Sequence, residues 1–159
     1  MDIKQLLNKG KRQIKSKQYN HALQSFSRVL EKDPDNLDAL IFRSGCYMQL
    51  DKFENCIKDL DKAIARDPNN PKLYYNRGSA HANLKNYKQA IADFTIAIKL
   101  NPDYEKAYYN RGSVYLNLDN HEKAVMDLLK AADLGNEHAR VLVKHFEKRG
   151  REIRNQDED

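Results

Sequence analysis

Apolar residues recur at spacings of three and four along the chain, in stretches of about fourteen residues broken by short polar turns such as LDKF and LKNY. That periodicity predicts amphipathic helices. A second kind of turn carries a proline: Pro34, Pro68 and Pro102 stand thirty-four residues apart, inside DPDN, DPNN and NPDY. Proline cannot continue a helix, so it closes a unit of helix, turn and helix. The same interval separates YYNRGSA at 74–80 from YYNRGSV at 108–114. Four repeats follow, at 3–36, 37–70, 71–104 and 105–138.

Two columns of small residues run through these repeats. Gly10, Ser44, Gly78 and Gly112 align on the first helix, and Ala22, Cys56, Ala90 and Ala124 on the second. Antiparallel helices approach closely only where side chains are short, so these columns predict the contact within each pair. Large residues fill the space around it: Tyr74 and Phe94 in the third repeat, Tyr108, Tyr115 and Leu128 in the fourth. One such pair cannot bury its apolar face alone, so neighbouring pairs must stack. After the fourth repeat, Ala139, Leu142, Val143 and Phe146 share one face of a further, highly charged helix, about 137–154, which would cap the stack. Gly150 is expected to fray it, and residues 155–159 read as a disordered acidic tail. The expectation is one all-α domain over 1–154.

At this point the pattern resembles the tetratricopeptide repeat, whose thirty-four-residue signature has an aromatic, a glycine, an alanine, a phenylalanine and a closing proline at fixed offsets. The third repeat matches with Tyr74, Gly78, Ala90, Phe94 and Pro102, and departs from the signature with Arg77 for leucine and His81 for tyrosine. The first repeat is the weakest, carrying Leu6, Lys9 and Gln13 at large or apolar positions, and the fourth has Asn136 in place of proline. The resemblance implies a right-handed superhelical solenoid of antiparallel helix pairs, with a concave surface formed by the first helix of each pair.

Composition and charge narrow the function. The chain has 159 residues, 40% of them hydrophobic, the balance of a folded domain. No apolar run approaches the ~18 residues that cross a bilayer, and the charged start MDIKQLLNKGKRQIK lacks the core of a secretion signal, so a cytoplasmic protein without membrane attachment is expected. Cys46 and Cys56 match no zinc or redox spacing and read as small core residues. The net charge of +5 forms no single basic face. Its one local run, KGKRQIKSK at 9–17, has no interleaved aromatics to stack bases, which argues against nucleic acid as the partner.

Arg43, Arg77 and Arg111 each have an aspartate sixteen residues on, at Asp59, Asp93 and Asp127, and the first repeat has lost both members together, with Lys9 and Ser25. Paired presence and paired loss predict a salt bridge between the two helices of each repeat rather than a ligand site. Asn76 and Asn110, one residue earlier, face about 100° away and can reach the concave surface. Asn8 continues that column and Phe42 interrupts it. An amide both donates and accepts, so asparagines there can bond the main chain of an extended peptide. In peptide-binding relatives asparagines at this site do so, and the resemblance implies it for Asn76 and Asn110. Lys72, Tyr75, Ser79 and Asn83 in the third repeat and Lys106, Tyr109, Ser113 and Asn117 in the fourth complete the expected groove, with an apolar end at Ile41, Phe42 and Met48. Such a groove suits a hydrophobic anchor followed by acidic residues.

Chaperone-binding relatives hold a heat-shock protein's terminal carboxylate with lysine, asparagine, asparagine, lysine and arginine. Here those positions read Leu7, Lys11, Phe42, Lys72 and Asn76 over the first three repeats, and Ile41, Gly45, Asn76, Lys106 and Asn110 over the last three. Too few agree for a heat-shock-type carboxylate tail to be the ligand. His21, His81, His121, His138 and His145 form no HExxH pair, and no phosphate loop or nucleophile elbow is present, so neither enzyme activity, a cofactor nor a metal is expected. His138 and His145 share a helix face but lack further ligands. The sequence therefore predicts a protein-binding adaptor, monomeric when free, with an architectural subunit of a larger assembly as the alternative and weak nucleic-acid binding through the basic run at 9–17 as a third reading.

Overall fold

In a computed structural model, the backbone is described for residues 1–156 and the side chains for residues 1–148. The elements among these are helices, in the order α1 Ile3–Lys15, α2 Tyr19–Lys32, α3 Leu37–Gln49, α4 Phe53–Arg66, α5 Pro71–Asn83, α6 Tyr87–Leu100, α7 Glu105–Asn117, α8 His121–Asp133 and α9 Glu137–Gln156. The fold is all-α, as the periodicity predicts. α9 is helical through Gly150 to Gln156. Of the expected disordered tail, Asn155 and Gln156 belong to α9 and residues 157–159 lie outside the described residues.

Local chemistry sets the boundaries. Asp2 and Gln5 form a capping box at the start of α1, with Gln5 N–H donating to Asp2 Oδ1 at 2.7 Å and Asp2 N–H to Gln5 Oε1 at 3.0 Å. Asn36, Asn70 and Asn120 accept from the first turns of α3, α5 and α8 at 3.1, 3.1 and 3.2 Å. Asn136 does the same for α9, accepting from Ala139 N–H at 2.9 Å, so the fourth repeat ends in a helix cap where its predecessors have a proline turn. The turns inside the repeats share another device. Lys17, Asp51, Lys85 and Asp119 are all left-handed, with φ of 56°, 54°, 60° and 54°, and they too recur at thirty-four.

By its internal contacts the chain divides into two units, Met1–Asp93 and Phe94–Asp159, with the division inside α6. In the first unit, α1 packs on α2, α2 on α3, α3 on α4 and α4 on α5. Phe26, Leu40, Leu60 and Leu73 are buried in its core beside Cys46 and Cys56. The small columns do mark the closest approach: a Cβ on Gly10 would lie 2.5 Å from Phe26 Cζ. In the second unit, α7 packs on α8 and α8 on α9, around Leu128, Ala131 and Ala139. There a Cβ on Gly112 would stand 3.1 Å from Leu128 Cγ. Leu142, Val143 and Phe146 of α9 cover the cluster, the capping role expected of that helix.

Candidate functional site

The arginines of the repeat motif are scaffold. Arg43 grips Asp59 through Nε and Nη2, both at 2.7 Å. Arg77 holds Asp93 at 2.9 and 2.7 Å, and Arg111 holds Asp127 at 2.7 and 2.8 Å. The three aspartates are buried, at 3%, 3% and 6% exposure, so each carboxylate depends on its planar fork. The hydrogen bond to the aspartate raises each guanidinium pKa above its ordinary value, against burial, which lowers it. In the first repeat a neutral pair takes this place, with Ser25 Oγ donating to Gln13 Oε1 at 2.7 Å.

Sequence pairing by sixteen residues also works backwards, which forward pairing misses. The remaining nitrogen, Nη1, of Arg43, Arg77 and Arg111 reaches Ser27 at 3.1 Å, Asp61 at 2.7 Å and Thr95 at 2.9 Å, each on the preceding repeat. An aromatic ring flanks each guanidinium: Tyr47 at 5.8 Å, Tyr74 at 5.7 Å and Tyr108 at 5.8 Å from ring centroid to Cζ. One arginine thus ties three helices.

With the arginines occupied, the candidate binding residues are what remains on the first helices. In the first unit an open hollow is lined by Ser44, Gly45, Met48 and Gln49 of α3, Cys56 of α4 and Asn76 of α5. It brings together Met48 and Asn76, both expected in the groove, with Gly45 and Gln49, which were not. In the sequence Gly45 reads only as a mismatch at a carboxylate-clamp position, and its being a glycine inside a helix is the signal that was missed. A glycine inside a helix is destabilising by roughly 0.5–1 kcal/mol relative to alanine. Among the described residues nothing lies within 4 Å of where its Cβ would be, so no packing contact among them requires it.

Other predicted residues of this unit are partly engaged elsewhere. Phe42 stacks on Phe26 with ring centroids 5.6 Å apart, and the Lys11 ammonium sits 4.7 Å above its ring. Phe42 and Ile41 are half-buried against the core. Ser79 Oγ donates to Tyr75 O at 2.9 Å and Asn83 Nδ2 to Ser79 O at 2.9 Å, so these polar groups already serve their own helix. Lys72 is exposed and Tyr75 half-buried.

In the second unit, Lys106 and Asn117 are exposed and Asn110 is half-buried. Ser113 Oγ donates to Tyr109 O at 3.0 Å, repeating the arrangement at Ser79. Tyr109 packs on the Leu128 cluster with its ring 6.0 Å from that of His138, so α9 borders this face. His138, one of the two histidines weighed as metal ligands, meets Tyr109 in a tilted ring contact, and His145 meets Phe146 edge-on at 6.4 Å. Among the described residues no group of three metal-ligating side chains occurs, and no helix is long and apolar enough to cross a membrane.

Solved structures share this architecture. The chain is similar to MamA from Desulfovibrio magneticus RS-1, residues 41 to the end, at 21% identity and a TM-score of 0.81, over 84% of this chain and 75% of that one. A second MamA structure is 23% identical with a TM-score of 0.82, covering 98% of this chain and 92% of that one. MamA of AMB-1 is 26% identical with a TM-score of 0.76, over 84% and 79%. None of the curated protein sequences matches this one. Tetratricopeptide-repeat models match residues 13–77, 71–104 and 94–126, an unbroken span from 13 to 126. The chain therefore belongs to the tetratricopeptide-repeat family, a protein-interaction scaffold that is generally without catalytic activity.

Proposed function

We propose that this protein is a non-catalytic adaptor that holds a segment of a partner protein against the first helices of its repeats. The observation that carries this reading is the hollow beside Gly45. It combines an apolar side wall from Met48 with the amides of Gln49 and Asn76 and a stretch of helix stripped of its side chain. A partner's main chain could approach Gly45 closely, and the Asn76 amide would donate to one of its carbonyls and accept from one of its N–H groups. On the second unit, Asn110 would play the same part, with Lys106 meeting a carboxylate and Tyr109 giving rigid contact area. Affinity for so short a surface would be near micromolar, about −8 kcal/mol.

A second reading, a subunit built into a larger assembly, is favoured by one feature. Val125, Met126 and Leu129 lie close together on α8 and are exposed by 37%, 65% and 42%. Affinity capture from lysate of the source cells separates the two. Under the adaptor reading, a partner held by the wild type is lost from an Asn76→Ala, Asn110→Ala variant of equal thermal stability. Retention by that variant, with loss from Met126→Ser, Leu129→Ser, transfers the role to α8.

A further inference from the structure

The outward face of α1 differs in kind from the faces of the later first helices. At the columns where repeats two to four bury Ala39 and Cys46, Leu73 and Ala80, and Ala107 and Val114, the first repeat carries Gln5 and Arg12. These two line an open hollow with Met1, Asn8, Lys11 and Lys15. Lys11 is partly committed, with Nζ 3.2 Å from Asp38 and the ring of Phe42 beneath it. Arg12 and Lys15 stand in the last turn of α1, where the helix dipole favours positive charge.

An apolar helix packed here would bury those cations without partners, at a prohibitive desolvation penalty. The occupant must bring negative charge. Only one run of three consecutive acidic residues occurs in the sequence, Asp157, Glu158 and Asp159, following α9. The geometry points to a cradle on α1 that takes the 157–159 segment of a second copy of this chain. The Arg12 fork pairs with one carboxylate, Lys15 and Lys11 meet the others as point charges, and the Asn8 and Gln5 amides bond the segment's main chain. Exposed ion pairs are weak and screened by salt, so the association belongs to concentrated protein, at roughly 0.1–1 mM, and low ionic strength.

Sedimentation velocity of the full chain tests this. At low salt the weight-average sedimentation coefficient rises with protein concentration, and the rise is lost at about 0.5 M salt, where the Debye length shrinks to a few ångströms. It is lost too with Asp157→Asn, Glu158→Gln, Asp159→Asn, which changes no residue of helices α1 to α9. A charge exchange makes the test specific. Arg12→Glu, Lys15→Glu alone and Asp157→Lys, Glu158→Lys, Asp159→Lys alone both stay monomeric, and mixing the two variants restores association. Three results overturn the proposal: a coefficient independent of concentration in the wild type, which includes a segment folded back on its own chain; association that survives neutralising 157–159; or no recovery on mixing variants that each retain the wild-type melting temperature.

Discussion

Arg77 reaches back to Asp61 through Nη1 at 2.7 Å while its other two nitrogens hold Asp93. The two carboxylates look alike on paper and differ in burial: the Asp93 side chain is 5% exposed and that of Asp61 55%. Removing one partner of a buried pair strands a desolvated charge, at about 3–5 kcal/mol, whereas an exposed pair contributes about 0–1 kcal/mol. Urea titration of Arg77→Ala should show a loss of that larger size. Asp61→Ala should lose under 1 kcal/mol, and a loss as large as that of Arg77→Ala would mean that the buried Asp93 contact adds nothing to the exposed Asp61 one.

Gly10 and Gly45 should respond to alanine with opposite signs. A methyl at Gly10 would stand 2.5 Å from the ring of fully buried Phe26, so the ring must shift within a packed core, a destabilisation of about 1–3 kcal/mol. At Gly45 the methyl meets nothing within 4 Å and gains helix propensity, so Gly45→Ala should raise stability by about 0.4–1 kcal/mol. The same methyl fills the hollow beside Asn76. If a partner's main chain docks there, calorimetry should record weaker binding by the more stable variant.

The scaffold was legible because it repeats. One repeat's Arg and Asp carry little meaning, but three copies of the pair and one joint loss identify a structural bridge, and Arg43, Arg77 and Arg111 all make it. Proline and small-residue columns likewise fixed helix ends and contacts, because both depend on the residue's own covalent geometry. What escaped depends on the surroundings instead. The half-burial of Phe42 follows from Phe26 and Lys11 on other helices, and the contact of Tyr109 with His138 follows from how α9 docks. The hollow at Gly45 was not inferred because a glycine matters there for what is missing around it. The backward arm of each arginine was missed for a different reason: Ser27, Asp61 and Thr95 share hydrogen-bonding capacity but not charge.

Four left-handed residues at the turns inside the repeats mark removable strain. Neither Lys17 nor Lys85 is a residue that favours φ of 56° or 60°, a region where a Cβ crowds the following carbonyl at roughly 1–2 kcal/mol. Glycine relieves that crowding but adds freedom to the unfolded chain, so the net gain is about 0.5–1 kcal/mol per site. Asparagine should gain less at Asp51 and Asp119, since aspartate already tolerates this conformation. Melting temperatures of Lys17→Gly, Lys85→Gly and the pair check the sign and the additivity expected for separate turns.

The two cysteines supply a pH-dependent term whose sign can be worked out. Burial pushes the Cys46 thiol up to about 11 and the Cys56 thiol up to about 12, from 9.0, with the charge of Asp59 adding to the rise at Cys56. Below pH 9 both thiols are protonated in folded and unfolded chains alike, and their contribution to stability does not vary. Between pH 9 and 11 the unfolded chain loses these protons while the folded chain keeps them, so the unfolded state gains. Stability should fall there by up to about 1.4 kcal/mol per pH unit for each thiol. Tyrosine and lysine also titrate in this range, so the informative quantity is the difference from Cys46→Ala, Cys56→Ala, whose curve should fall less steeply. The same burial predicts that an aromatic disulfide reagent at pH 8 titrates neither thiol in the folded protein and both in denaturant. A thiol that reacts at once in the folded chain would place that cysteine outside the core, and its share of the steeper fall above pH 9 should then disappear with it.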